Sequence, residues 1–486
     1  MTETAAVIGA GVIGAGWIAR LLENGLDVRV HDPDPQAPRK IEAVLANAAR
    51  AQAALTTAPR PRRGSWSMAG SVAEAVAGAT LVVEAVPERL DLKRRVYAEI
   101  DAANAEAVVA SSTSGFKPSD LQAEMAHPAR LIVAHPFNPV YLLPLVEVVG
   151  GSATAPAVIE RAIAFYTRLG MRPLHLKREI DAFVADRLLE AVWREALWLV
   201  KDDIATTAEI DDAITYGFGL RWAMMGLFET YRVAGGEAGM RHFLAQFGPA
   251  LAWPWTKLMD VPDLDDALVE RIATQSDAQS GHHEIRALER IRDDNLVAIL
   301  HALRATGRGA GAVLAAHEAR LASEEVPPAP APEPLETVST SVPALWCDYN
   351  GHMNESRYGQ LFSDAADAVM RRIGADAAYV ARGLSYFTVE IHTRFLAEAH
   401  ADAAVRVETQ VLEGQGKRLR LFHRLLDAGD GLLLATGDQM LIHVSLESRR
   451  ATPPEPEVAT RLEALATAHA SLPRPPEADL AVGQRA

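Results

Sequence analysis

VIGAGVIGAGW (Val7–Trp17) joins an apolar, strand-like run to a helix-like one through closely spaced glycines. Gly9, Gly11 and Gly14 stand as Gly-x-Gly-x-x-Gly. In a strand-to-helix turn the first glycine makes the tight bend and the second lets backbone approach a pyrophosphate. The third lets the helix pack closely, with phosphate at the helix N-terminus. The spacing alone is a weak signal. Its context comes from VRVHD, which closes a second strand at Asp32, about 20 residues after the glycines. A carboxylate there accepts hydrogen bonds from an adenosine ribose and repels a 2′-phosphate, so the expected cofactor is NAD rather than NADP.

Outward from this turn, residues 1–180 alternate strand-like runs (AAVIGA, LDVRVHD, ATLVVEAV, AVVASST, RLIVAHPF) with helical stretches. That is the pattern of a parallel sheet in an α/β Rossmann domain. Over 181–322 the period becomes helical, which predicts an all-α domain. In FVADRLLEAVWREALWLV, Phe183, Leu189, Val192, Trp193, Ala196, Leu197 and Val200 recur mostly three or four apart, as on one helix face. Thr206 with Glu209 reads as a capping box opening DDAITYGFG. VPPAPAPEP, within a linker over 323–336, favours a stiff extended chain. Beyond it, TVSTSVPALW, LSYFTVEIHTRFL, AAVRVETQVLE, KRLRLFHRLLD and GLLLATGDQMLIHVSLE read as strands, with the helix ESRYGQLFSDAADAVMRRIG between the first two. One helix against about five strands predicts an α+β domain over 337–452. Residues 453–486 read as a tail with one helical stretch, VATRLEALATAHASL.

A chain of 486 residues exceeds what one hydrophobic core usually supports, in keeping with several domains. Its 49% hydrophobic and 23% charged residues rule out a mostly disordered chain. A net charge of −15 without a basic block disfavours nucleic acid or anionic membrane as partner. Cys347 is the only cysteine, which excludes an intrachain disulfide and a multi-cysteine zinc site; no metal is expected. The N-terminus lacks a basic region, and no run of about 18 apolar residues occurs. The expectation is a soluble, cytoplasmic protein.

AHPFNPVYLLPLVEVV carries His135, Asn138 and Glu147. A histidine titrates near neutral pH and can take a hydroxyl proton as hydride leaves, provided a partner fixes its tautomer. A buried carboxylate supplies such a partner in triad logic. Read alone, a histidine such as His135 is more often a structural residue.

GAGVIGAGW, EAVPERLDLKRRV, SSTSGF and AHPFNPVYLLPLVEVV together resemble the 3-hydroxyacyl-CoA dehydrogenase family over residues 1–320. The resemblance implies His135 as catalytic base, Glu147 as its partner and Ser114 as a substrate-contacting serine. It also implies Glu88 and Lys93 as cofactor-binding and Asn138 as a substrate residue. One departure bears on substrate. Where the family usually carries asparagine in Phe-Ile-Val-Asn-Arg, this chain has FVADR and hence Asp186. A carboxylate near the reacting carbon suits a cationic substrate, and aromatic faces bind quaternary ammonium groups. The helical region holds Trp193, Trp198, Trp222, Trp253 and Trp255, although a helical core is the simpler reading of any one of them. IDAFVADRLLEAVWREALWLV and TYGFGLRWAMMGLFETYRVAGG look closest to the family's carnitine-oxidising branch. This implies NAD-dependent oxidation of L-carnitine to 3-dehydrocarnitine. Arg221 is a candidate for the substrate carboxylate, with a surface salt bridge the equal alternative.

WCDYNGHMNESRYGQLF, entering the second domain's helix, is similar to the Asp-x-x-x-His-x-Asn loop of hotdog-fold thioesterases. The resemblance implies Asp348 as catalytic carboxylate, His352 and Asn354 as supporting groups, and helix N-terminal amides polarising the thioester carbonyl. Glu390, in TVEIH, is a second carboxylate that could approach. The implied substrate is betainyl-CoA, reached from 3-dehydrocarnitine by a separate enzyme using acetyl-CoA. Both families usually self-associate, so a homodimer is expected. Two other readings stay open: a short-chain 3-hydroxyacyl-CoA or sugar-acid dehydrogenase fused to an acyl-CoA thioesterase, and a non-catalytic NAD- and acyl-CoA-sensing protein.

Overall fold

Eight strands form the first sheet: β1 (Thr4–Ile8), β2 (Asp27–His31), β3 (Trp66–Met68), β4 (Leu81–Glu84), β5 (Val108–Ser111), β6 (Leu131–Pro136), β7 (Leu145–Gly150) and β8 (Arg172–Leu176). Their order is β3-β2-β1-β4-β5-β6-β7-β8, and the protein is described here from a computed structural model. It describes residues 3–56, 58–59, 61–234, 243–245, 263, 265–324, 329–480 and 484. Val7, Val82, Val83, Val109, Ile132 and Val133 are buried in near-continuous apolar runs, as strands covered on both faces require. All neighbours pair in parallel except β6 and β7, which are antiparallel. The intervening segment 137–144 is too short to carry a crossover helix, so the chain turns straight back.

The chain divides into two units, Met1–Ala49 with Arg60–Ala319 and Arg50–Pro59 with Arg320–Ala486. In the first, a helix spans Ala185–Lys201, and the Thr206–Glu209 capping box forms at the start of the next one, Thr207–Ala213. The predicted apolar face is corrected in two ways. Phe183 lies before the helix in left-handed backbone (φ +52°) and is fully buried. Leu189 and Trp193 are exposed (58% and 59%), so the described residues show only part of the stripe as buried.

The second unit holds β9 (Leu335–Ser341), β10 (Leu384–Phe395), β11 (Ala404–Gln415), β12 (Arg418–Asp427) and β13 (Leu433–Ser445). They form an antiparallel sheet in the order β10-β13-β12-β11-β9. One long helix, Glu355–Ile373, buries Tyr358, Leu361, Phe362, Ala365, Ala366, Val369 and Ile373 at helical spacing against it. Gly437 permits this approach, since a Cβ there would lie 2.7 Å from the Phe362 ring. This is the hotdog architecture of one helix wrapped by an antiparallel sheet. A row of polar side chains crosses it: Thr337–Thr409 at 2.9 Å, Thr409–His423 at 2.8 Å, His423–Gln439 at 3.1 Å and Gln439–Thr388 at 2.8 Å.

Part of the expected tail belongs to this domain. The Pro456–His469 helix buries Val458, Leu462, Leu465 and His469 in the same core as Leu335 and Val411. The expected helical stretch forms, and its apolar stripe packs on the sheet.

Candidate active sites

The residues expected to serve a dinucleotide gather at the carboxyl ends of the parallel strands, where open α/β sheets bind ligands. Gly9 follows β1 with φ +93°, and a Cβ there would stand 2.6 Å from the Ala85 carbonyl oxygen. A Cβ on Gly14 would stand 1.9 Å from the Gly9 oxygen, whereas Gly11 faces open space. The turn is thus shut to side chains on one flank and open at its crest. Asp32 follows β2; its carboxylate accepts the Ala10 amide at 2.6 Å and the Asp34 amide at 2.8 Å, which holds it beside the glycine turn. These residues fit NAD.

Lys93 and Glu88 act through one another. Lys93 is 1% exposed and bridges Glu84 (2.8 Å) and Glu88 (3.1 Å). Glu84 also accepts the hydroxyls of Tyr97 (2.5 Å) and Ser111 (2.6 Å). Glu88 accepts the Thr113 hydroxyl and the Gly115 amide (3.1 Å). Burial would raise the Glu88 carboxyl, but the Thr113 hydroxyl and the Lys93 ammonium hold it below the ordinary glutamate range. The ion-pair chain from buried Glu84 and Lys93 out to the exposed Glu88 therefore shapes the loop after β5 that presents the exposed Ser114.

His135 and Glu147 face each other at paired positions of β6 and β7, with Nδ1 3.0 Å from Oε2. Glu147 is fully buried, and its second oxygen accepts the amides of Val184 and Ala185, each at 3.0 Å, where the Ala185–Lys201 helix begins. Burial would raise its carboxyl, but His135 and these two amides keep it below the ordinary value, hence anionic. An imidazole so held carries its proton on Nδ1 and presents a free lone pair at Nε2. Phe137 and Phe183 pack on the ring at centroid distances of 5.1 and 5.6 Å. Both lack titratable groups, so the chemistry of the sequence did not flag them. Asp186 Oδ2 lies 3.5 Å from Nε2. Asn138, in the following loop, is exposed and joined to Pro139 by a cis peptide bond.

The remaining substrate candidates are not gathered around this pair. Trp193 lies two helical turns beyond Asp186 on the same stripe. Trp222 packs on Phe218 at 4.6 Å, and Lys201 Nζ sits 4.6 Å over the Trp198 ring. Arg221 is exposed and makes no ion pair among the described residues. Trp253 and Trp255 lie outside the described residues.

In the second unit, Asp348 begins a tight turn. Its Oδ1 accepts the Asn350 amide at 2.8 Å, its own amide donates to the His352 carbonyl at 3.1 Å, and Gly351 takes φ +83°. The turn docks on the segment after β10 through the Met353 amide and the Ala399 carbonyl (2.7 Å), with His352 Nε2 3.6 Å from Glu398. Asn354 is the N-cap of the central helix: its Oδ1 accepts the Ser356 amide at 3.0 Å and the Ser356 hydroxyl at 2.7 Å. The Arg357 amide donates to the Asn354 carbonyl at 2.9 Å. Of the first-turn amides, those of Ser356 and Arg357 are thus satisfied within the cap. Burial, then Asp348 and Asp402, push the Cys347 thiol up, away from thiolate chemistry. Glu390 sits exposed beside a bulge in β10, five residues or about 17 Å of strand from Phe395, whose ring meets Tyr358. Among the described residues no hydrogen bond or ion pair joins it to Asp348. Among the described residues no cluster suits a metal ion, and no helix is long and apolar enough to cross a membrane.

Residues 4–180 match the 3-hydroxyacyl-CoA dehydrogenase NAD binding domain, 183–269 the C-terminal domain of that family, and 342–462 the thioesterase-like superfamily. The chain is 58% identical over 99% of both chains to L-carnitine dehydrogenase/betainyl-CoA thioesterase of Ruegeria pomeroyi. It is 62% identical to L-carnitine dehydrogenase of Mesorhizobium japonicum, over 63% of this chain and 85% of that one. Among solved structures, 5-formyl-3-hydroxy-2-methylpyridine 4-carboxylic acid 5-dehydrogenase, an NAD+-dependent dismutase, is 29% identical with a TM-score of 0.54, covering 64% of this chain and all of that one. A relative matched at 58% identity over 99% of both chains places the protein in the L-carnitine dehydrogenase/betainyl-CoA thioesterase family.

Proposed function

We propose that the protein oxidises L-carnitine to 3-dehydrocarnitine with NAD in its first unit and hydrolyses betainyl-CoA to glycine betaine and CoA in its second. The observation that carries the first half is the His135–Glu147 pair, buried and anionic at Glu147, at the carboxyl edge of an NAD-binding sheet. The substrate hydroxyl gives its proton to His135 Nε2, and Glu147 stabilises the imidazolium through Nδ1. Bound NAD would accept the hydride that leaves the hydroxyl-bearing carbon as its C–O bond becomes a carbonyl. Ser114 and Asn138, exposed in the loops after β5 and β6, face solvent on the sheet edge where a substrate would enter.

In the second unit, Asp348 is the carboxylate for thioester cleavage. It serves as base to water or as nucleophile, and either route releases CoA and glycine betaine; in H₂¹⁸O only the nucleophilic route labels the protein carboxyl. Asn354 supports the site by fixing the helix start, and His352 by anchoring the turn. The assembly is a homodimer. In β10, an edge strand, Phe387, Val389, Ile391 and Phe395 are 40–60% exposed, which suits antiparallel pairing with a second copy. The protein works in the cytoplasm.

A substrate panel decides the reading. NADH should form with L-carnitine and not with 3-hydroxybutyryl-CoA or gulonate, while thiol is released from betainyl-CoA. NADH from either of the latter substrates in preference to L-carnitine would replace it.

A further inference from the structure

We infer that Asp186 is the specificity-determining residue for the trimethylammonium group and holds that cation directly beside the proton-accepting imidazole nitrogen. The inference rests on the carnitine reading above. Asp186 occupies the first turn of the Ala185–Lys201 helix, and its side chain is only 20% exposed. His135 is its one possible cationic partner among the described residues, and only when the imidazole is protonated.

The local charge balance leaves Asp186 over. Glu147 already neutralises the imidazolium through Nδ1, and it has two backbone amides besides. Glu190, one turn along the helix, is paired with Arg194 at 3.3 Å. Nε2 lies 3.5 Å from the Asp186 oxygen, longer than an ordinary hydrogen bond. Burial, with Glu147 and Glu190 adding to it, pushes the Asp186 carboxyl above its usual range despite His135, so the site is short of positive charge. A quaternary ammonium supplies that charge without needing an acceptor for an N–H.

The shape of L-carnitine fits this position. One methylene separates its hydroxyl-bearing carbon from the nitrogen, so a hydroxyl at Nε2 brings the N-methyl groups to the neighbouring carboxylate. The same carboxylate repels the substrate's own carboxylate and so orients the molecule with its cation toward the helix. Trp193 is seven residues on, about 10 Å of helical rise, and more than half exposed. Charge beside the imidazole, rather than an aromatic cage around Trp193, is therefore the recognition element.

The test compares L-carnitine with 3-hydroxy-5,5-dimethylhexanoate, its carbon isostere without the cationic nitrogen, in the full-length protein. Asp186→Asn should lower kcat/KM for L-carnitine on the order of 100-fold, chiefly through KM. It should leave the isostere unchanged or improved, and Asp186→Glu should recover part of the loss. NAD binding, followed by fluorescence, verifies that the variants are folded. Equal losses on both substrates would assign Asp186 to holding His135 and overturn the inference, as would undiminished preference for L-carnitine. A wild-type protein that does not oxidise L-carnitine would remove the reading beneath the inference and the inference with it.

Discussion

His135 and Glu147 meet at 3.0 Å because β6 and β7 pair antiparallel with these two residues in register. The same carboxylate receives the first amides of the Ala185–Lys201 helix, so it joins the sheet to the helical region. Glu147→Gln keeps the size of the side chain but removes the charge that stabilises the imidazolium. NADH formation from L-carnitine should fall roughly 10²–10⁴-fold in kcat, and His135→Ala should abolish it. Steady-state rates by NADH absorbance check both, and wild-type-like turnover of His135→Ala would take that residue out of the reaction.

Asp348→Ala should stop thiol release from betainyl-CoA and leave L-carnitine oxidation intact. The two activities are measured on one preparation. Loss of both in a folded variant would contradict independent sites.

Asn354 is first of all a helix cap. Asn354→Ala removes the acceptor for Ser356 and should destabilise the C-terminal unit by about 1 kcal/mol, while Asn354→Ser keeps a capping oxygen and most of that stability. Denaturant titration separates the two. Thioesterase activity retained by the serine variant would show that the cap, and not the amide group, is needed.

Burial lowers the His423 pKa from 6.5 to about 4. The folded C-terminal unit therefore stays unprotonated there while the unfolded chain takes up a proton. Its stability is fully present above about 6.5, declines as pH falls and levels off below about 4, a loss on the order of 3 kcal/mol. His443 and His469, also pushed down by burial, act in the same direction. Urea unfolding across this window should show the decline, and His423→Gln should reduce it to the part that His443 and His469 contribute.

Asp32→Asn should weaken discrimination between NAD and NADP, since it removes the charge that repels a 2′-phosphate beside the glycine turn. The ratio of kcat/KM for the two cofactors is the measurement. An unchanged ratio would assign the selectivity to other residues.

Much of this architecture was legible because local chemistry and tertiary position agree. Gly-x-Gly-x-x-Gly with Asp32, the Thr206–Glu209 box and the alternating strands of the second unit each follow from rules acting over a few residues. The Pro456–His469 helix was read as tail because its flanks are proline-rich and its partner, the β11 face, lies far away in sequence. Phe183 was placed on a helix by its spacing, but left-handed backbone at Ala182 and Phe183 delays the helix and turns the ring onto His135.

The sequence by itself determined the residue types: a glycine turn that admits backbone, a histidine able to exchange a proton, and a polar loop with a carboxylate ahead of a helix. Only the tertiary structure decided their partners. Strand register set Glu147 against His135, helix entry set Asp186 at Nε2, and ion pairing tied the buried Lys93 to Glu84 and Glu88. The reason is physical. Covalent sequence sets which groups are present, whereas hydrogen-bond geometry and charge stabilisation depend on distances of a few ångströms between groups that only packing brings together.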